Sequence, residues 1–489
     1  METLDRRAFL RGSTAVGGLV GTGVPALTAA AQTVQSPTLP LEQNITARLA
    51  AYAVKAKFAD LPSSVRTEAA RSLLNWIGVA VGGSRHETIA IVLAALKPFF
   101  GPPKASLLGR AERVDGLHAA LINGISSHVF DYDDTDLATI IHPSAPILPA
   151  MFALAEDRTV SGPDFMNAFV LGVEAACRIG RAVNPAHYAL GWHITGTAGV
   201  FGAAVACGKL LGLDEQRMRW AISLAATQPV GLREMFGTMT KSFHPGRAAQ
   251  NGLTAALLAA QGFTSSDAAL EAKRGWMPVI STEQHYDIIV DGLGQRYEIT
   301  RNSYKPFACG VVIHPIIDGC IQLRNKHRLK ASDIEGIDLA VNPQVIELTG
   351  KRTPQTGLDG KFSVYHAAAV AIIAGMAGEK QFSDEIVRDR AVVALRDRVQ
   401  TTVEPGLHED QAKLVIRLKG GRRVEQFIVH ALGSAENPMS DKQLDAKFID
   451  LANGILPADK TRRLMNLCRE SEKLPDIAAI AREASLAVL

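Results

Sequence analysis

From Asn44 to about Gly292, apolar residues return at three- and four-residue steps almost without a break, the pattern of helices with one buried face. In VRTEAARSLLNWIGVAVGG, Val65, Ala69, Leu73, Ile77 and Val81 fall four apart and predict one buried stripe. A Ser63 or Ser64 cap opens that helix and Gly82-Gly83 closes it, while Asn44 is placed to cap ITARLAAYAVKAKFA. Further helices are read in HETIAIVLAALKPFF, GLHAALING, PDFMNAFVLGVEAACRIGRAV, TAGVFGAAVACGKLLG, DEQRMRWAISLAAT, GRAAQNGLTAALLAAQG and SSDAALEA. Ala and Gly crowd their faces, which lets the helices approach closely.

Near Arg296 the period shortens. QRYEITRN, IEGIDLAVN, AKLVIRLKG and RRVEQFIVHAL alternate or carry β-branched runs, and Gly420-Gly421 stands where a hairpin turn belongs. Helical pieces (YHAAAVAIIAGM, SDEIVRDRAVVALR) lie among them, and after Asn437-Pro438 the pattern is helical again. The expected fold class is mainly α: a large all-helical domain over 41–300, a smaller α+β lid domain over 301–434, and C-terminal helices over 435–489 that return to the first domain. A cleft between the two is the expected ligand site.

Composition changes this picture little. At 489 residues the chain is too long for one core. Its net charge of +3 and lack of a Lys/Arg block argue against a nucleic-acid partner. The five cysteines (Cys177, Cys207, Cys309, Cys320, Cys468) are widely spaced and read as buried thiols. No H-E-x-x-H or similar spacing occurs, so no metal site is expected.

Residues 1–40 differ in kind. Arg6-Arg7 precedes a Gly/Ala/Val stretch that ends at Ala29-Ala30-Ala31, followed by a Pro-bearing linker. This resembles a twin-arginine export signal, which implies a periplasmic protein; a disordered cytoplasmic tail is the alternative. The stretch is too rich in Gly and Pro for a stable membrane span.

The candidate chemistry sits at polar breaks between helices. In SSHVFDYDDTDLATIIHPSAPILP, Asp131, Asp133, Asp134 and Asp136 fall within six residues, with His142-Pro143 beyond. Either these carboxylates cap helices at the surface or they line a cavity; burying four of them is costly, so a cavity implies work to do. His193, in LGWHITGTAG, precedes a small-residue helix whose N-terminus suits an anion, or else packs beside Trp192. Lys241, His244 and Arg247 fall within seven residues at a break before another Ala-rich helix, as an anion site or as a solvated basic loop. Lys305 precedes a proline at the domain joint, with His314-Pro315 following; it is either a surface lysine or a catalytic one. In KFSVYH, Tyr365 or His366 starts a helix that aims at the cleft, or else Tyr365 is a core residue. Together these groups suit a substrate with several carboxylates: Lys and Arg neutralise its charge, His and Tyr move protons.

The motifs DYDDT…HPS, GWHITGTAG, TKSFHPGRAAQNG, KPFACG…HP and KFSVYHAA resemble the MmgE/PrpD family, from about Ile45 to the C-terminus. That family includes 2-methylcitrate dehydratase, cis-aconitate decarboxylase and iminodisuccinate epimerase. The resemblance implies a helical domain with a lid, a homodimer, and no obligatory metal or organic cofactor. It implies a pocket lined by Asp131, Thr135, His142, His193, Lys241, Lys305 and Tyr365, with His142 and His193 as acid and base and the two lysines gripping carboxylates. His244 and Arg247 are further candidates for substrate binding. The segment TDLATII holds no second histidine, and glycine stands at 310, so the substrate is left open. The expected activity is a cofactor-independent lyase that dehydrates or decarboxylates a small di- or tricarboxylate. A dicarboxylate epimerase and a non-catalytic organic-acid-binding protein are the alternatives. The Asp-x-Asp-Asp string alone would fit protonation of an isoprenoid alkene, but the aromatic residues do not cluster as carbocation walls must.

Overall fold

Long helices of small residues build the first core. Gly162–Val183, Ile194–Leu210 and Met239–Ala260 pack side by side, with Gly116–His128 and Ser144–Ala155 across them. The computed structural model describes residues 44–487; the Arg6-Arg7 leader lies outside the described residues.

The expected stripe of Ser63–Gly83 is buried throughout, from Val65 to Val81. Glycine sets the closest crossing. A Cβ at Gly124 would stand 2.5 Å from Gly246 Cα, and one at Gly246 would stand 2.4 Å from the Leu121 carbonyl oxygen. Only paired glycines let Gly116–His128 and Met239–Ala260 approach this closely. The crossing brings the C-terminal end of the first helix, at His128, to the N-terminal end of the second, near Lys241.

A second core surrounds a four-stranded sheet in the order Val399–Val403, Ile334–Val341, Ala412–Leu418, Arg423–Ile428. The first pair is parallel and the other two are antiparallel. Gly420 and Gly421 both take positive φ in the turn before Arg423, as the hairpin needs. Helices His314–His327 and Val364–Ala374 cover one face, with Ile316, Val370, Ile337 and Leu414 in the shared core. The last helices, Asp441–Ala452 and Ala458–Arg469, pack back on Ser63–Gly83.

Several local expectations change. QRYEITRN is not a strand: Glu298–Arg301 is a 3₁₀ turn, and the Glu298 N–H bonds the buried Glu174 carboxylate rather than a neighbouring strand. Only Asn302–Ser303 pairs, antiparallel to Thr135–Asp136. SSDAALEA forms turns, and the strand Val399–Val403 went unread because it follows directly on the helix Arg390–Arg396. The break expected around Lys241 lies earlier, at Gly237-Thr238, so Lys241, His244 and Arg247 are helical residues, with Pro245 inside the helix. All five cysteines are buried free thiols. Among the described residues no single helix is long and apolar enough to cross a membrane.

Candidate active site

Three helix N-termini converge on one buried pocket. Pro143 precedes Ser144–Ala155, His193 precedes Ile194–Leu210, and Thr238 caps Met239–Ala260 through its hydroxyl. Their free N–H groups and dipoles favour negative charge in the space they share. His142, His193 and Lys241 each lie within three residues of one of these ends.

The DYDD loop enters from the end of Gly116–His128. Asp131 takes φ +50 and Ile140 φ +60; the left-handed region is tolerable for aspartate and costly for a β-branched isoleucine. The strained turn at Ile140, with its N–H on the Asp136 carbonyl, swings His142 back over the loop. The short ladder between Thr135–Asp136 and Asn302–Ser303 then brings Lys305 in from the far side.

Asp131 sits at the centre. Its Oδ1 accepts from Lys241 Nζ at 2.8 Å and from Lys305 Nζ at 2.7 Å, and lies 3.7 Å from His142 Nε2. Burial pushes the Asp131 carboxyl up, and the two ammoniums outweigh it, holding the group well below the ordinary carboxylate range. Lys305 spends its three donors within the protein, on Asp131 Oδ1, the Asp131 carbonyl and the Cys309 carbonyl. Lys241 spends two, on Asp131 and His128 Nε2 at 3.2 Å, and lies between the rings of Phe236 and Phe362. Lys241 is therefore the cation with a hydrogen still to give.

Asp133 fixes the histidines. His128 Nδ1 lies 2.9 Å from its Oδ2 and His142 Nδ1 lies 3.2 Å from its Oδ1. Nδ1 of each ring faces this fully buried carboxylate, the arrangement in which each ring carries its proton on Nδ1 and turns a bare Nε2 the other way. Thr135 Oγ1 adds a contact to His142 Nδ1 at 3.3 Å, and the His142 backbone N–H donates to Thr195 Oγ1. His193 Nδ1 and His244 Nδ1 stand 2.9 Å apart, one donating to the other, a second linked pair. Burial lowers His128 and His244 to about 4 and also depresses His142 and His193, with Lys241 adding to the effect on all four. Near neutral pH these are uncharged imidazoles.

These shifts tie stability to pH. The unfolded chain protonates His128 and His244 at about 6.5, whereas the folded site refuses the proton until about 4. Their contribution to stability is thus complete above the unfolded value and is lost as the pH falls through this window. Urea midpoints at about pH 7.5 and about pH 5 check it, the lower midpoint being expected at the lower pH; equal midpoints would contradict neutral buried imidazoles.

The pocket itself is narrow, about 40 Å³, lined by Asp131, His142, His193, Lys241 and Lys305 with Tyr188, Phe236 and Phe362. It adjoins a wider cavity of about 780 Å³ across Ile140, Tyr188, Val311 and Val312. His314, buried with its Nε2 unpaired, lines the wider space.

Of the residues expected from the sequence, the structure brings Asp131, Thr135, His142, His193, His244, Lys241 and Lys305 together. It places two elsewhere. Arg247 is exposed and bonds Gln250: at about 100° per residue, six positions beyond Lys241 lies on another face of the helix. Tyr365 turns to the sheet, its hydroxyl 3.1 Å from Thr401 Oγ1 and the Arg352 guanidinium over its ring. Ser363 caps that helix, so Phe362, just ahead of the cap, faces the pocket instead. The pocket tyrosine is Tyr188, which burial pushes up to about 12 and keeps protonated. Tyr188 and His128 were both missed; His128 was legible only as the residue that ends a helix just before four carboxylates.

His128, Asp131, Asp133 and His142 also bring four ligand-type atoms within 4.8 Å of one another. The set does not fit a divalent ion. Two lysine ammoniums already occupy Asp131 Oδ1, one of them also holds His128 Nε2, and a metal would have to displace both cations. The arrangement is one for holding an anion and moving a proton.

Residues 47–289 match the MmgE/PrpD N-terminal domain and residues 307–472 match the MmgE/PrpD C-terminal domain. The chain is 26% identical over 468 residues to the cis-aconitate decarboxylase-like protein oryM of Aspergillus oryzae, covering 90% of this chain and 97% of that one. It is 25% identical over 477 residues to the cis-aconitate decarboxylase of Aspergillus terreus, covering 92% and 97%, and 23% identical over 446 residues to that of Homo sapiens, covering 87% and 91%. With both family domains matched in order along the chain, the protein belongs to the MmgE/PrpD family.

Proposed function

We propose that the protein is a lyase that acts on a small di- or tricarboxylate, by decarboxylation or dehydration, using His and Lys side chains. The observation that carries this reading is the pair of ammoniums on one Asp131 oxygen, set beside bare imidazole nitrogens at three helix N-termini. Substrate carboxylates bind where Lys241 has its free donor and the helix ends add positive potential. His142 Nε2, oriented by Asp133, serves as the base or acid at the reacting carbon, with His193 or Tyr188 as its counterpart. In a dehydration the base takes a C–H proton and the acid protonates the departing hydroxyl. In a decarboxylation of an unsaturated acid, CO₂ leaves, the C–CO₂ electron pair forms the new double bond, and the electron pair of the old double bond takes the acid's proton at the far carbon. Similarity to cis-aconitate decarboxylases supports the lyase class. A homodimer and export through the Arg6-Arg7 leader belong to the same proposal.

The test is to incubate the full chain with cis-aconitate, 2-methylcitrate and related acids and to follow alkene absorbance and products by mass spectrometry. New alkene or released CO₂ is expected. Solvent deuterium entering a recovered dicarboxylate with no net product would instead identify an epimerase. Saturable binding with neither would leave only an organic-acid-binding protein.

A further inference from the structure

Three lysines cross the same short gap. The carbonyls of Phe130, Asp131 and Tyr132 are consecutive, and each accepts from a different buried ammonium. Lys361 Nζ donates to Phe130 O at 2.8 Å and to Ala308 O at 2.8 Å. Lys305 Nζ donates to Asp131 O and to Cys309 O, each at 3.1 Å. Lys447 Nζ donates to Tyr132 O at 2.6 Å and to Lys305 O at 2.8 Å. Every ammonium thus ties one carbonyl of the 130–132 run to one carbonyl of the 305–309 run. Tyr132 Oη adds a fourth tie, to Pro306 O at 2.9 Å.

Lys305 is part of the pocket, but Lys361 and Lys447 are not among the residues that line it. Lys361 comes from the turn before Val364–Ala374 and is completed by Glu379. Lys447 comes from Asp441–Ala452 and is completed by Asn75 Oδ1 at 2.8 Å, with its charge 3.9 Å from the Tyr132 ring. Among the described residues no carboxylate pairs directly with Lys447, and burial is unfavourable for it. Three acceptors call for three N–H donors, which only the ammonium form supplies.

We propose that Lys361 and Lys447 are positioning residues, which clamp the loop of Asp131 to the loop of Lys305 at the carbonyls flanking Asp131 and so fix the shared Asp131–Lys305–Lys241 charge cluster. Ties on the carbonyls just before and just after Asp131 hold its positive-φ backbone in place. Burial lowers Lys447 to about 7, against the opposing pull of Asp133 and Asp134. The inference rests on the lyase reading for its effect on turnover and stands apart from it for its effect on the loops.

The experiment compares wild type, Lys447→Met, Lys361→Met and the double variant as full chains. Readouts are thermal midpoint, kcat and KM on whichever carboxylate the wild type turns over, and amide hydrogen exchange across 130–134 and 305–309. Expected for each single variant is a midpoint within a few degrees of wild type and faster exchange in both runs. A fall in kcat of about ten- to a hundredfold accompanies them, larger than the change in KM. Lys447→Arg, which keeps charge and donors, should recover part of that loss. If Lys447→Met does not fold, Lys447→Gln keeps two donors and gives the same comparison with a smaller effect. Unchanged exchange with unchanged kcat in the folded variants would overturn the proposal. Should the wild type turn over no carboxylate, the lyase reading fails alone, and the exchange comparison still decides on the clamp.

Discussion

Replacing Lys241 by Met lowers kcat/KM for the carboxylate substrate by about 10²- to 10³-fold, the loss expected when a preorganised donor to a developing anion is removed. The side chain is 7% exposed, and of the two pocket ammoniums it is the one with a donor not taken by the protein. Met keeps the aliphatic packing against Phe236 and Phe362 while deleting the charge. Deleting it also leaves Asp131 with Lys305 as its one ammonium, so stability falls too; breaking a buried pair typically costs about 3–5 kcal/mol. Rates must therefore be taken per folded molecule, with circular dichroism run beside the kinetics. A folded Lys241→Met that retains kcat/KM within about threefold would remove this lysine from the chemistry.

The second large effect is expected at Asp133→Asn. The change is nearly isosteric, yet it exchanges one acceptor oxygen for a donor beneath two imidazoles. His128 or His142 must then move its proton from Nδ1 to Nε2. In His142 that removes the bare nitrogen facing the pocket; in His128 it sets an N–H against the Lys241 ammonium. The rate should drop about 10²- to 10⁴-fold with little change in KM, as for a general base in the wrong tautomer. Nitrogen NMR of labelled histidine reports the tautomers directly. Wild-type kcat in the Asp133→Asn variant would show that the Asp133–imidazole geometry does not govern the reaction.

Helix periodicity and the positions of the polar breaks made much of this legible beforehand, for a physical reason. A buried anion site on a helical scaffold is cheapest at helix N-termini, so His142, His193 and Lys241 announce themselves as titratable residues at helix starts. What failed depended on phase. Arg247 looked equivalent to Lys241 until the helix was seen to begin at Met239, which turns Arg247 outward. Tyr365 looked like the pocket tyrosine until the Ser363 cap fixed the register and left Phe362 facing inward. Lys447 carried no signal at all: in DKQLDAKFIDLA it reads as one more solvated charge, and only the packing of that helix buries it. Tyr188 lies in the four-residue helix Ala186–Ala189, too short for a periodic pattern to mark it out in the sequence.

The cluster around Asp131 also has a history in time. Its carboxylate meets Lys241 110 positions later and Lys305 174 positions later, so large loops must close before a single oxygen acquires both cations. A chain that stops short of Lys305 lacks one of the two ammoniums that Asp131 holds in the fold. The complete charge cluster can therefore exist only once the chain has been made as far as Lys305.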